Sequence, residues 1–294
     1  QTLYVKLRDG NSIEEIAYRR EDGKVAGGLK MANGTNSQRD TPFPGTRAKS
    51  AALVRQKYIA AQEYKAKIEA ADGDAAEMPD RDLALETLVE VLDGTRTVHH
   101  HTHRHDDVLT VLRLQKEFGY KVVLHHVSEA AKVAEEIAEA DVPVSLIIVD
   151  SPGGKIEAMH LEPFNAKALE DAGARVAFHT DDYITDSRLF LRMAALGVRA
   201  GMSRVTALKA MTLEPAMMMD IGDRAGSLEK GKDADFVVLS GDPFSVYTQV
   251  QQTWVEGKKR FDISDPDDAA IAAGGYGALA PSSIHEFHGY GEAR

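Results

Sequence analysis

The sequence contains, at residues 97–103, the stretch Thr97-Val98-His99-His100-His101-Thr102-His103, which begins as a β-strand pattern and ends in histidines. A helical pattern from Asp106 to Phe118 follows it and ends at Gly119. Three further strand and helix pairs come next, at Lys121–His125 and Glu129–Ala140, Val142–Val149 and Asn165–Ala172, and Arg175–His179 and Ser187–Leu196. Strands that alternate with helices at this spacing are typical of parallel βα units, so the pattern predicts an α/β fold.

The flanking regions have simpler patterns. Before residue 97 we predict one short strand and two helices, at Gly27–Met31, Leu53–Ala70 and Leu83–Leu92. After residue 200 we predict two helices and two strands, at Ser203–Met211, Pro215–Met219, Phe236–Leu239 and Thr253–Val255. We therefore divide the chain into a main α/β domain (1–223), a small β module (224–262) and a surface tail rich in small residues (263–294).

Composition narrows the class of protein. The 294 residues are 43% hydrophobic and carry a net charge of −11, which fits a globular protein and argues against nucleic acid as a partner. The chain has no cysteine, which excludes disulfides and thiolate metal sites. No apolar run approaches the roughly 20 residues of a membrane span. The chain begins at Gln1 without an initiator methionine or a leader pattern, so we expect its gene to begin further upstream and leave its compartment open.

Residues that bind metals follow several predicted strands. In a parallel α/β barrel the carboxyl ends of the strands face the active site. One strand contains Lys30, and three others end in histidines or aspartates, at 99–105, 125–126 and 179–182. Imidazole and carboxylate ligands suit zinc and similar ions, and a carboxylated lysine is able to bridge two of them. The alternatives are an exposed histidine loop, a lysine lying along the surface, and aspartates that cap a helix.

Several motifs resemble the amidohydrolase superfamily, in its imidazolonepropionase-like and metal-dependent dipeptidase (prolidase-like) branch. The resemblance extends from about Leu3 to Phe261. The matching stretches are Gly28-Leu29-Lys30-Met31-Ala32-Asn33-Gly34, His101-Thr102-His103-Arg104-His105-Asp106-Asp107, His126-Val127-Ser128-Glu129, His179-Thr180-Asp181 and Gly226-Ser227-Leu228-Glu229-Lys230-Gly231-Lys232-Asp233-Ala234-Asp235. The resemblance implies strands 4–8 of a (β/α)8 TIM-like barrel, followed by a small C-terminal β-sandwich module.

The resemblance also implies a set of metal ligands. Lys30 would be carboxylated and bridge two ions, with His101 and His126 as ligands from the next two strands. Asp181 would bind a metal and move a proton. We prefer His101 and His126 to the neighbouring histidines because adjacent residues of a strand face opposite ways. The expected cofactor is one or two divalent metal ions, with zinc as the expected element, and His179 would lie behind the ligands.

The expected reaction is hydrolysis of a C–N bond in a small amide, peptide or cyclic amide. A metal ion lowers the pKa of bound water, and Asp181 would act as general base and then general acid. His103 would help to stabilise the oxyanion and, with Arg104, would contact the substrate. Lys155 and Glu157, after the seventh barrel strand, are further candidates for substrate binding. The alternative for this pair is a solvated loop.

One part of the family pattern is missing. The family begins with a His-x-His motif on its first strand, and no such motif precedes Lys30. Five parallel strands do not close a barrel. We therefore expect the amino-terminal part of the enzyme on a second chain or a longer polypeptide, and we expect a homo-oligomer. The alternatives are a deaminase or cyclic-amide hydrolase with one metal, and a non-catalytic subunit or binding module.

Overall fold

The computed structural model describes residues 2–38, 43–148, 155–182 and 184–274. The end of the predicted strand at Val149 and most of the predicted tail, at 275–294, lie outside the described residues. The chain forms two compact units, Gln1–Ser227 and Leu228–Arg294. Within the described residues, no helix is both long enough and apolar enough to cross a bilayer.

The first unit is built on a five-stranded parallel sheet. Its strands lie side by side in chain order: β1 (Leu29–Ala32), β2 (Val98–Thr102), β3 (Val122–His126), β4 (Val144–Leu146) and β5 (Val176–Phe178). The predicted α/β fold with parallel strands, consistent with part of a TIM-like barrel, is confirmed. Because all five strands run the same way, their carboxyl ends lie at one edge, which we call the carboxyl edge.

Nine helices accompany this sheet in the described part of the first unit: α1 (Ile13–Ile16), α2 (Arg47–Ala71), α3 (Leu83–Leu92), α4 (His105–Phe118), α5 (Ala134–Glu139), α6 (Phe164–Asp171), α7 (Phe190–Arg199), α8 (Arg204–Met211) and α9 (Leu213–Met218). Short 3-10 turns lie at Gly34–Asn36, Ala130–Lys132, Ile156–Ala158 and Ser187–Leu189. Helix α2 begins six residues before the predicted start because the Thr46 hydroxyl caps it by accepting the Lys49 N–H.

The two faces of the sheet differ in chemistry. One face is buried and mostly apolar, with Val98, Leu124 and Leu146 fully covered and His100 as a polar exception. The other face carries His99, His101 and His125, and beneath them Val123 and Ala177 pack with Met218 of α9 in a small buried cluster. This cluster closes the lower end of the polar face, so polar side chains are concentrated at the carboxyl edge.

The second unit contains a three-stranded antiparallel sheet with the order β6 (Phe236–Leu239), β7 (Val250–Val255) and β8 (Lys258–Asp262). Strands β7 and β8 are joined by Glu256 and Gly257, whose φ angles of 52° and 72° suit a two-residue hairpin. Phe236 stacks on Trp254 across the sheet. Helix α10 (Pro266–Ala273), capped by Asp265, occupies the start of the segment that the sequence predicted as a tail.

Candidate metal centre

Strand register places polar residues from four adjacent strands on the same face of the sheet, at two levels. Lys30 lies opposite His99, and His101 lies opposite His125. His125 in turn lies opposite Ser145 of β4. Residues opposite each other in adjacent parallel strands point to the same face. Register alone therefore groups His101 with His125, although the sequence analysis favoured His126.

His126 joins the same group because the backbone turns at the end of β3. Its φ angle is 75°, and the Val127 N–H donates to the His125 carbonyl at 3.1 Å, which forms a γ-turn centred on His126. Val127 also has a positive φ, 41°, which is an outlier for a β-branched residue. The turn brings the His126 ring to 4.4 Å from the His101 ring, between centroids. Both histidines at the end of β3 thus contact the cluster.

Two nitrogens in this cluster have no hydrogen-bond partner among the residues that the structure describes. These are Nε2 of His101 and Nε2 of His126. Both atoms are buried, and neither forms a hydrogen bond to any described residue. Both residues are almost completely buried, at 4% and 3% exposure. A buried nitrogen without a partner costs free energy, so each such atom calls for an explanation. A pair of them on rings in contact suits a bound cation.

The opposite nitrogen of His126 is held by a short chain of hydrogen bonds. His126 Nδ1 lies 2.9 Å from His179 Nε2, and His179 Nδ1 lies 2.9 Å from Ser145 Oγ. If His126 uses Nε2 as a ligand, its Nδ1–H donates to His179, which then donates to Ser145. Such partners behind a ligand fix its tautomer and orientation. His179 therefore lies next to His126, on the Nδ1 side of its ring.

Asp181 and Lys30 complete the predicted set. Asp181 Oδ2 lies 3.9 Å from His126 Nδ1, and its φ of 50° directs the chain after β5. It lines an open cleft together with His125, His179, Thr180, Ser187 and Phe190. Lys30 is exposed as a residue, yet the surrounding protein desolvates its ammonium and lowers its pKa, an effect that the Asp181 charge partly offsets. The four predicted ligands are thus brought to one edge of one sheet.

Sequence reasoning missed a second row of hydrogen bonds on the same face. His99 Nδ1 lies 2.9 Å from His125 Nε2, and the Tyr4 hydroxyl lies 2.7 Å from His99 Nε2. The pair of His99 and His125 could have been predicted, because His99 lies two residues before His101 and so faces the same side of the strand. Tyr4 gave no signal, because its partner is 95 residues away.

His103 and Glu157 lie beside His101. Ligand atoms of His101, His103 and Glu157 fall within 4.8 Å of one another, a spacing that is able to hold a metal ion. The Glu157 carboxylate is 2% exposed and accepts hydrogen bonds from the Thr35 N–H at 2.9 Å and from Arg47 at 3.1 Å. Arg47 also binds Asp107 at 2.8 Å. This buried network links the loops after β1 and β4 to α2 and α4.

Two of the predicted substrate-binding residues have other partners in the structure. Arg104 forms an ion pair with Asp106 at 2.9 Å, and both side chains are exposed. Lys155 donates to Asn36, yet its charge lies close enough to lower the pKa of His101 and His103. Lys155 thus lies near the histidines, whereas the contacts of Arg104 are with its own helix terminus.

The imidazoles of the cluster are neutral. Burial lowers the pKa of His99 and His103 to about 4, of His179 to about 3 and of His101 to about 2, and it lowers the pKa of His125 and His126 as well. A neutral imidazole is the form that binds a metal. The donor set of imidazole nitrogens and carboxylate oxygens, with two nitrogens unpartnered, therefore fits a divalent ion such as zinc.

Comparison with known proteins supports the same assignment. The sequence profile of the amidohydrolase family matches residues 19–261. The amidohydrolase tasK of Hapsidospora irregularis is 27% identical over 250 residues, covering 80% of this chain and 26% of that protein. A probable imidazolonepropionase of Nematostella vectensis is 32% identical over 130 residues, covering 43% of this chain and 30% of that protein.

A solved structure is also similar. The crystal structure of an amidohydrolase from Thermotoga maritima MSB8 matches with a TM-score of 0.75 and 33% identity, over 80% of this chain and 62% of that chain. The chain therefore spans only part of each of these proteins. The resemblance read from the motifs is confirmed by the profile, which matches more than half of the sequence. This chain belongs to the amidohydrolase family.

Proposed function

We propose that this chain carries part of the active site of a metal-dependent hydrolase that cleaves a C–N bond in a small amide, peptide or cyclic amide. The observation that carries the proposal is the pair of unpartnered Nε2 atoms on His101 and His126, on touching rings beside Asp181. A purely structural histidine cluster would use both nitrogens of each buried ring.

The metal would be held by His101, His126, Lys30 and Asp181. When bound, a divalent ion would activate water for attack and polarise the scissile carbonyl. His179 and Ser145 would keep the His126 ring in the orientation that points Nε2 into the site. Desolvation of Lys30 favours its neutral amine, which is the form that takes up carbon dioxide, so carboxylation of Lys30 is part of the proposal.

Asp181 would take the proton from the attacking water and pass it to the leaving nitrogen. Its carboxylate is half-exposed in the open cleft, so substrate and water are able to reach it. Its Oδ2 lies 3.9 Å from Nδ1 of the His126 ring, so the proposed general base is next to a proposed ligand. We further propose that a first-strand His-x-His from polypeptide outside this chain completes the ligand set in a homo-oligomer.

The test is the substitution Asp181→Asn, with Asp182→Asn as its matched control. Asp182 is the exposed neighbour whose carboxylate accepts from Ser187. With a panel of dipeptides and cyclic amides, Asp181→Asn should lower kcat by about 1,000-fold, inside the 100- to 10,000-fold range typical for loss of a general acid–base group. Its zinc content, measured by mass spectrometry, should stay near that of the unaltered protein, and Asp182→Asn should change neither.

Full activity in Asp181→Asn would contradict the proton-transfer role. Metal analysis also separates the alternatives. In the assembled enzyme, which includes the polypeptide that carries the first-strand motif, two ions per active site support the bridged centre, one ion favours a deaminase or a cyclic-amide hydrolase with a single metal, and none, together with no activity on the panel, favours a binding module.

A further inference from the structure

Ser128 is a buried hydroxyl between two of the loops that surround the site. It follows β3 and is 0% exposed. Its Oγ donates to the main-chain carbonyl of Glu157 at 2.8 Å. The same Oγ lies 3.1 Å from Nδ1 of His103. Neither the sequence motifs nor the proposed reaction gave this residue a role.

The proton count at Ser128 decides the proton position on His103. A hydroxyl has one proton, and a carbonyl oxygen only accepts, so that proton points to Glu157. The hydroxyl oxygen is then left to accept, and His103 Nδ1 must supply the hydrogen. In a neutral imidazole only one nitrogen carries a proton. His103 Nε2 therefore carries a lone pair.

We propose that Ser128 is a positioning residue that fixes His103 as the Nδ1–H tautomer and so presents an unprotonated Nε2 to the site. The consequence for substrate binding rests on the proposed function, whereas the tautomer of His103 follows from the hydrogen bonds alone. It reverses the polarity expected for His103 from the sequence: the ring accepts a hydrogen bond at Nε2 rather than donating one to an oxyanion. It thereby favours substrates that offer an N–H or O–H beside the reacting carbonyl.

The surrounding contacts hold Ser128 and His103 in place. The Asn165 amide donates to the Ser128 carbonyl at 2.9 Å, and the Glu129 N–H donates to the His103 carbonyl at 3.2 Å. Glu157, whose carbonyl sets the direction of the Ser128 proton, is itself anchored through its carboxylate to Thr35 and Arg47. The proton on His103 is thus fixed by a chain of groups that all have partners.

The His103 ring faces the predicted ligands. Its centroid lies 4.7 Å from that of His101 and 5.1 Å from that of His126. Ligand atoms of His103 and His101 are also close to the Glu157 carboxylate. The His103 ring is therefore next to the proposed centre, and its tautomer would determine whether Nε2 accepts or donates a hydrogen bond there.

The test is nitrogen NMR on the metal-free full chain labelled with ¹⁵N-histidine, at neutral pH. In the unaltered protein, His103 should show a protonated Nδ1 and an unprotonated Nε2. Ser128→Ala should convert this single state into a mixture of tautomers, and Ser128→Thr, which keeps the hydroxyl, should restore it. Ser145→Ala is the matched control, because it removes the same group from His179 and should alter His179 but leave His103 unchanged.

Two results would overturn the proposal: a protonated Nε2 on His103 in the unaltered protein, or an unchanged tautomer in a folded Ser128→Ala protein. The first result is obtained from the unaltered protein, so the proposal remains testable even if the Ser128→Ala protein does not fold. Because the spectra are recorded without metal or substrate, they stand even if the hydrolase proposal fails. An inactive Asp181→Asn with an Nε2–H His103 would refute this inference alone.

Discussion

The two sides of the centre satisfy their polar groups differently. On the Glu157 side, a buried carboxylate, an arginine and a serine all have protein partners at hydrogen-bonding distance. On the His101 and His126 side, two buried nitrogens have none among the described residues. The side whose polar groups all have partners fixes the geometry of the centre, whereas the other side has nitrogens that remain available to a ligand, as the proposed function requires.

Lowering the pH should have the largest effect of the changes considered, because it should reduce the free energy of unfolding through the histidine cluster. Seven buried or partly buried histidines, at 99, 100, 101, 103, 125, 126 and 179, have a pKa below the usual 6.5. They take up protons on unfolding, so their stabilising effect is complete above about pH 6.5 and is lost as the pH falls towards 4. Each contributes a slope of up to about 1.4 kcal/mol per pH unit.

Urea unfolding of the metal-free protein at pH 7 and pH 5 measures this effect. We expect the free energy of unfolding to fall by several kcal/mol between the two values. Equal stability at both would mean that the folded chain takes up as many protons as the unfolded chain between these pH values, so that the pKa of these histidines is not lowered by folding.

Removing Arg47 should destabilise the side of the centre whose polar groups all have protein partners. Arg47→Ala leaves the buried carboxylates of Glu157 and Asp107 without their cation. Because Arg47 is itself 30% exposed, we expect the lower end of the range for breaking a buried pair, about 3 kcal/mol. The control is Arg104→Ala, which removes an exposed pair and should cost less than about 1 kcal/mol. Similar losses in the two variants, by urea unfolding, would contradict the distinction between the sides.

Replacing single histidines by leucine should distinguish a proposed metal ligand from a hydrogen-bonded partner behind it. These substitutions should give the smallest changes in stability. His101→Leu removes a nitrogen that has no partner, so the metal-free protein should keep its free energy of unfolding within about 1 kcal/mol. Zinc affinity should nevertheless fall by more than the roughly 100-fold that loss of an outer partner costs. His179→Leu, the control, leaves His126 Nδ1 and Ser145 unpaired and should cost about 1–3 kcal/mol. Stability is read from urea unfolding and affinity from competition with a chelator.

Local sequence patterns predicted much of the fold. Helix α3 has the predicted bounds, Leu83–Leu92, because an aspartate cap and an Asp-Gly stop enclose an apolar stripe. Helix α5 begins at Ala134 instead of Glu129. The Glu129 carboxylate is bound by the N–H and ring of His105, and residues 130–132 form a 3-10 turn instead. A contact across 24 residues has no local signal.

The candidate site was likewise predictable only where local patterns in the sequence indicate it. The strand ends that carry Lys30, His101, His126 and Asp181 could be found by motif and spacing, and the sheet brings them together. The turn at His126 could not, because alternation predicts the wrong face for one of two consecutive histidines. Arg47 lies 60 and 110 residues from its two partners and belongs to no motif.

The γ-turn at His126 changes what one strand is able to deliver. A regular strand offers one side chain to a pocket for every two residues, so five strands supply few groups at any one height. By reversing its backbone at the last residue, β3 directs two adjacent imidazoles inward. Inserting or deleting one residue there would exchange the two rings rather than remove one, so an alignment that shifts this pair by one position would mistake one ring for the other.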